Sequence, residues 1–243
     1  GKQLIENAGT YIQRVCNPST CVIISDSNVF PLYGSILSDA LKNSGYQVCD
    51  FSNAKDFYRA VKEIKPDAVL LDIMLPDTDG FVTLERKIPI SVSIADCAPI
   101  LLEDKERGIV ASLHAGWRGT VAGIAAEGVR KMCELGASVK DIQAAIGPCI
   151  HACCYEVGED FFEAVKGARG RDFAMRHIKP SEIDGKYLAD IAAMNGEILL
   201  DSGVPFENIS VSKKCTCCES ELFFSHRASK GQRGALKAAI MLD

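Results

Sequence analysis

The sequence predicts an α+β fold, mixed β-sheets with flanking helices, on three observations. Two runs rich in β-branched residues and leucine, residues 20–27 (TCVIISDS) and 67–73 (DAVLLDI), read as buried parallel-type strands with helical spacing between them. Near residues 85–95 the pattern changes, and strands that alternate apolar and polar residues are followed by amphipathic helices in no regular βαβ order. Strict alternation of strand and helix would indicate an all-parallel sheet, whereas this mixture indicates mixed sheets with segregated helices.

Each element follows from local pattern. LYGSILSDALKNSG and SNAKDFYRAVKEIKPD carry helical spacing, with Ser52 or Asn53 as N-cap of the second and Pro66 just after it. PISVSIAD and GIVASLH alternate as strands. TVAGIAAEGVRKMCELG then puts Val121, Ile124, Ala125, Val129, Met132 and Cys133 on one helical stripe, capped by Thr120 and ended by Gly136. DIQAAIGP is a strand. GEDFFEAV and DGKYLADIAAMNGEILLDSG read as helices, the second turning Leu188, Ile191, Ala192, Ile198 and Leu199 inward and stopping at Gly203. NISVSKKC, ELFFSH and ALKAAIML close the chain as strands.

Composition narrows the function classes. With 47% hydrophobic and 24% charged residues in a chain of 243, this is an ordinary globular composition able to bury a core. A net charge of -5 argues against binding to a phosphate backbone, so no nucleic-acid partner is expected. No apolar run approaches the roughly 18 residues of a membrane span, and the opening GKQLIENAGTYIQ lacks a basic-then-apolar signal layout. The expectation is a cytoplasmic protein without a membrane partner, monomeric or homodimeric. Eleven cysteines, an odd number that includes the adjacent pairs Cys153-Cys154 and Cys217-Cys218, read as reduced thiols, most of them small buried hydrophobes. Cys215, Cys217 and Cys218 make a soft-metal tract, but without a second ligand pair at finger spacing.

The chemistry concentrates in ADCAPILLEDKERGIVASLHAGWRGT, residues 95–120. Cys97 and His114 stand at the ends of apolar runs, and by themselves read as zinc ligands, as a nucleophile with its base, or as two residues buried between strands. HAGWRGT adds a turn with two glycines, Arg118 and a helix start, which together offer an anion pocket. Cys149 reads as a buried thiol, and His151, His177 and His226 as surface or hydrogen-bonded histidines.

SIADCAPILLED, ASLHAGWRGTVAGI, AAIGPCIHACCYEVGEDF, CTCCESELFFSHRASKGQRG and AAIMLD resemble, in order and spacing, the laccase-domain (multicopper polyphenol oxidase-like) family, from about residue 90 to 243. The resemblance implies an α+β fold similar to that of deamidating bacterial toxins. It also implies a zinc-dependent purine nucleoside phosphorylase that deaminates adenosine and cleaves methylthioadenosine, taking a purine nucleoside and phosphate. By the same resemblance Cys97 and His114 are metal ligands and the catalytic pair, and Gly116, Arg118 and Arg227 face substrate. The family's third ligand is an upstream histidine, and this sequence has none before His114. Copper is disfavoured, since a four-copper oxidase needs many histidines and the chain has 4.

Residues 20–90 resemble instead the first half of a response-regulator receiver domain, with Asp72 at the phospho-acceptor position beside Asp26, and the first residues are similar to the start of dehydroquinate synthases. The expectation is one laccase-like domain over 1–243, with residues 1–89 as an atypical α/β portion of fused origin. Two other functions compete. A Cys/His hydrolase would act on amide or ester bonds such as those of cell-wall peptides, and an inactive receiver-like module would only bind.

Overall fold

The computed structural model describes residues 20–24, 35–51, 68–71, 80–232 and 234–243. By internal contact the chain divides into two compact units, residues 1–78 and 79–243. The helix read over residues 52–67, Asp26 and Asp72 lie outside the described residues.

In the first unit, strands β1 (Thr20–Ile24), β2 (Gln47–Phe51) and β3 (Ala68–Leu71) pair in parallel in the order β2-β1-β3, and helix α1 (Ser35–Asn43) connects β1 to β2. Parallel neighbours require crossovers, and α1 supplies one.

The second unit is built on a five-stranded sheet. Its strands are β4 (Gly80–Thr83), β6 (Ala98–Asp104), β7 (Ile109–Ala115), β8 (Gln143–Ile146) and β12 (Ile209–Val211), in the order β12-β8-β6-β7-β4. All its pairs are antiparallel except β8 with β12, so the sheet is mixed, as the irregular element order implied. Strand β7 buries residues on both faces because each face is covered. On one side lie helices α3 (Ile124–Glu134) and α6 (Ile191–Asp201), whose Val129, Met132, Ile198 and Leu199 join Ile100, Leu102 and Leu113 in the main core. A smaller core of Ile90, Val110 and Leu242 involves β5 (Ile90–Ile94), which pairs antiparallel with β13 (Leu236–Ile240). The Ser112 hydroxyl, wholly buried in β7, donates to the Ala238 carbonyl of β13 at 3.3 Å.

Leu113 sets how closely the helix approaches the sheet. A Cβ on Gly128 would stand 2.5 Å from one of its methyls and a Cβ on Gly80 would stand 2.6 Å from the other, so both glycines are needed for close packing.

The structure departs from the sequence reading where tertiary pairing outweighs local pattern. The helix expected from Thr120 begins at Trp117 as α2 (Trp117–Ala122) and restarts as α3, because Gly123 adopts φ 86 between them. Thr120 is therefore no cap; it is buried, and its hydroxyl accepts from Asn195 Nδ2 at 2.9 Å. Cys133 turns outward instead of joining the stripe. The long helix read over 184–203 is divided: β11 (Lys186–Ala189) pairs with β9 (Glu156–Gly158) and β10 (Ile178–Pro180), and α6 starts only after Asp190, whose carboxylate accepts from Ala193 N at 2.9 Å. ELFFSH is a chain of turns, since Leu222 and Phe223 both donate back to Glu219. Helix α4 (Glu159–Arg169) stands where GEDFFEAV placed it, and α5 (Arg171–His177) follows it unforeseen.

Candidate functional site

The site grows from the turn between β5 and β6. Asp96 sits there with φ 82, a left-handed conformation that a short polar side chain tolerates better than most. Its buried carboxylate accepts from the Thr216 hydroxyl and from the Arg227 backbone N–H, each at 2.7 Å, and its carbonyl accepts from Ile150 N at 2.9 Å. One residue thus ties residues 95–97 to two stretches far away in sequence.

Cys97 follows, immediately before β6. The β6–β7 register pairs Ala98 with Ala115 and Pro99 with His114, so the thiol arrives opposite Gly116. The point where a Gly116 Cβ would stand is 3.4 Å from Cys97 Sγ and 3.6 Å from both Cε1 and Nε2 of His114. Cys97, His114 and Gly116 are therefore brought together around one small space, and each is only partly buried.

Aromatic residues line the neighbourhood. Trp117 packs against Phe161 at 5.9 Å between ring centroids, and Phe161 meets Tyr155 edge-on at 5.8 Å. Burial pushes the Tyr155 phenol up to about 12, with Cys97 adding to the effect, Arg227 opposing it and Asp96 reinforcing it. At neutral pH it stays protonated and can donate. Arg118 is exposed, its guanidinium 4.3 Å from the Trp117 ring centroid. Arg227 acts as a clamp: its guanidinium donates to the Cys154 carbonyl at 3.0 Å and to the Glu156 carbonyl at 2.9 Å.

Elsewhere, Cys149 is fully buried and burial drives its thiol far above the usual range, consistent with a packing role. His177 pairs with Glu197 at 2.7 Å. His151 is half-buried, with its Nε2 buried and unpartnered. A cleft of about 630 Å³ is lined by Arg169, Arg171, Arg176 and Glu197, but Arg176 is already engaged by Glu197 and neither Cys97 nor His114 reaches it.

A thiolate and an imidazole suit zinc, which takes three protein ligands when catalytic. Among the described residues no third cysteine, histidine or carboxylate completes a set with Cys97 and His114. The Cys97–His114 pair was visible in the sequence, whereas Asp96, Thr216 and Tyr155 were not among the expected site residues. The ADC motif contained the signal for Asp96, whereas the other two come from stretches whose approach only the fold reveals.

With the fold and site in place, the chain can be assigned to a class. Residues 45–243 match the family described as multi-copper polyphenol oxidoreductase laccase, and the chain belongs to that family. The match begins well upstream of the motifs at residue 90. Among solved structures, YfiH of Bacillus licheniformis superposes with a TM-score of 0.69 at 25% identity, covering 100% of this chain and 82% of its own. Among curated relatives, the adenosine deaminase RL5 of an unknown prokaryotic organism is 45% identical over 155 residues, 63% of this chain and 58% of its own length. The purine nucleoside phosphorylase YlmD of Bacillus subtilis (strain 168) is 37% identical over 168 residues, 68% of this chain and 59% of its own length. The chain spans about three fifths of the length of these curated relatives.

Proposed function

We propose that the protein acts on purine nucleosides at the Cys97–His114 site, releasing the base from adenosine, inosine or methylthioadenosine by phosphorolysis and deaminating adenosine. The observation that carries this reading is the convergence of the Cys97 thiol and the His114 imidazole on one point above Gly116. The names of the relatives, adenosine deaminase and purine nucleoside phosphorylase, supply the substrate class.

In phosphorolysis the bond from the ribose anomeric carbon to the purine breaks, a phosphate oxygen takes its place, and the leaving base needs a proton. In deamination water adds to the six-position carbon and ammonia leaves. Both reactions need a donor that remains protonated, which Tyr155 offers. Trp117 presents apolar surface to a purine, and the exposed Arg118 attracts phosphate. Zinc is the ion this donor pair suits, and when bound it would supply Lewis acidity. Cys97 and His114 would be two of its ligands, and among the described residues no third joins them.

The test is chromatographic. Adenosine, inosine and methylthioadenosine are each incubated with and without phosphate, before and after chelation, and base, inosine and ammonia are measured. The expected result is phosphate-dependent base release together with inosine formation from adenosine, both lost on chelation and restored by zinc. No turnover of any nucleoside by the zinc-supplemented protein contradicts the reading.

One observation favours a second reading. Because the described residues give the pair only two donors, Cys97 can instead serve as a nucleophile with His114 as its base, cleaving an amide or ester. Chelator-resistant amide or ester hydrolysis, abolished by alkylation of Cys97, distinguishes it.

A further inference from the structure

Two stretches about sixty residues apart deliver four thiols to one place: Cys153 and Cys154 after β8, and Cys215 and Cys218 after β12. Their four sulfurs all lie within 4.8 Å of one another. Cys218 Sγ is 3.5 Å from Cys153 Sγ and 3.3 Å from Cys154 Sγ. A tetrahedral ion with metal–sulfur bonds of about 2.3 Å sets its sulfurs about 3.8 Å apart, and the cluster brackets that spacing. Small side-chain rotations would bring all four into contact with one ion.

The backbone is arranged to hold them there. Residues 149 and 215 form a parallel bridge, and Thr216 N donates to the Cys149 carbonyl at 3.0 Å, locking the two stretches side by side. Cys154 N donates to the His151 carbonyl at 2.9 Å, folding the first stretch into a turn. Residues 215–218 form a C-x-x-C turn, closed by Glu219 N donating to the Cys215 carbonyl at 3.0 Å. Cys215 is buried, whereas Cys153 and Cys218 are exposed, which leaves a path for an ion.

We propose that Cys153, Cys154, Cys215 and Cys218 form a tetrathiolate site for one zinc-like divalent cation, separate from the Cys97–His114 site. Binding exchanges four thiol protons for four metal–sulfur bonds, with no change in oxidation state. The ion staples residues 153–154 to residues 215–218. Beside them the Arg227 side chain clamps the Cys154 and Glu156 carbonyls while its backbone N–H donates to Asp96, which also accepts from Thr216. The site is therefore structural, and it secures one wall beside Cys97. Soft sulfur donors and a closed four-ligand set select zinc, or cadmium as its surrogate, over magnesium or calcium.

The test uses the full chain, purified under reducing conditions and stripped of metal, with cadmium as the probe. Cadmium added to the wild type is expected to produce thiolate-to-metal charge-transfer absorbance of four-thiolate intensity, saturating at one equivalent for this site. Cys97→Ala should keep that signal. Cys153→Ser with Cys218→Ser should lose it. Should the double variant fail to fold, the wild type alone decides: one bound equivalent must protect four thiols from an aromatic disulfide reagent, and peptide mapping must place them at these positions. Protection of fewer than four, or loss of the signal in Cys97→Ala, overturns the proposal. So does a disulfide within the cluster that persists in strong reductant and blocks uptake.

Discussion

Cys97→Ala and His114→Ala are each expected to lower nucleoside turnover by about 10³-fold or more, and the double variant to lose little beyond the worse single change. Groups that act as a unit are strongly non-additive, because once one is gone the other has nothing to act with. Both substitutions alter the single space shared by the thiol and the imidazole over Gly116. Cys97 is only partly buried and loses one sulfur atom in Cys97→Ala, so the melting temperature of that variant should move little. Steady-state rates on adenosine and inosine beside a melting curve provide the check. Additive losses, each about tenfold, would mean that the two side chains work separately.

Asp96→Ala should have the largest effect on stability of any single change near the site, about 3–5 kcal/mol. It strands the Thr216 hydroxyl and the Arg227 N–H, both at 2.7 Å from the carboxylate, and places alanine at φ 82. The consequence is local before it is global, because the stretch from Cys215 to Arg227 loses its anchor next to Cys97. Asp96→Asn separates charge from hydrogen bonding. Asparagine tolerates the left-handed backbone, its oxygen can accept from Arg227 N, and its amide can donate to the Thr216 hydroxyl. Denaturant unfolding is expected to show Asn recovering most of what Ala loses. Equal loss in both variants would assign the effect to the negative charge itself.

The sequence foretold most of the strands and the approach of Cys97 to His114 because their determinants are local. Residues 90–94 and 109–115 carry their own burial pattern, and the tight β6–β7 connection makes the two ends that bear Cys97 and His114 neighbours. What escaped prediction depends on partners remote in sequence. Residues 186–189 read as helix because Tyr187, Leu188 and Ala189 run straight into α6, yet pairing with β9 and β10 claims them as strand. The N-cap at Asp190 was the available signal for the true helix start. Cys215, Cys217 and Cys218 lacked a second ligand pair within their own segment, and the pair arrives as Cys153 and Cys154, while Cys217 is left out of the cluster. The guanidinium of Arg227, expected to face substrate, is engaged by two carbonyls that only the fold brings to it.

Where the reacting atom or ion occupies the space between the thiol and the imidazole, Gly116→Ala puts a methyl group into that space. Gly116 has φ -70 and ψ 174, which alanine adopts without strain, and its new methyl would meet Cys97 Sγ at 3.4 Å and His114 at 3.6 Å, ordinary contact distances. Stability is expected within about 0.5 kcal/mol of the parent, and nucleoside turnover lowered about 10²-fold or more. A folded Gly116→Ala protein with undiminished turnover would contradict that placement of the reacting atom or ion.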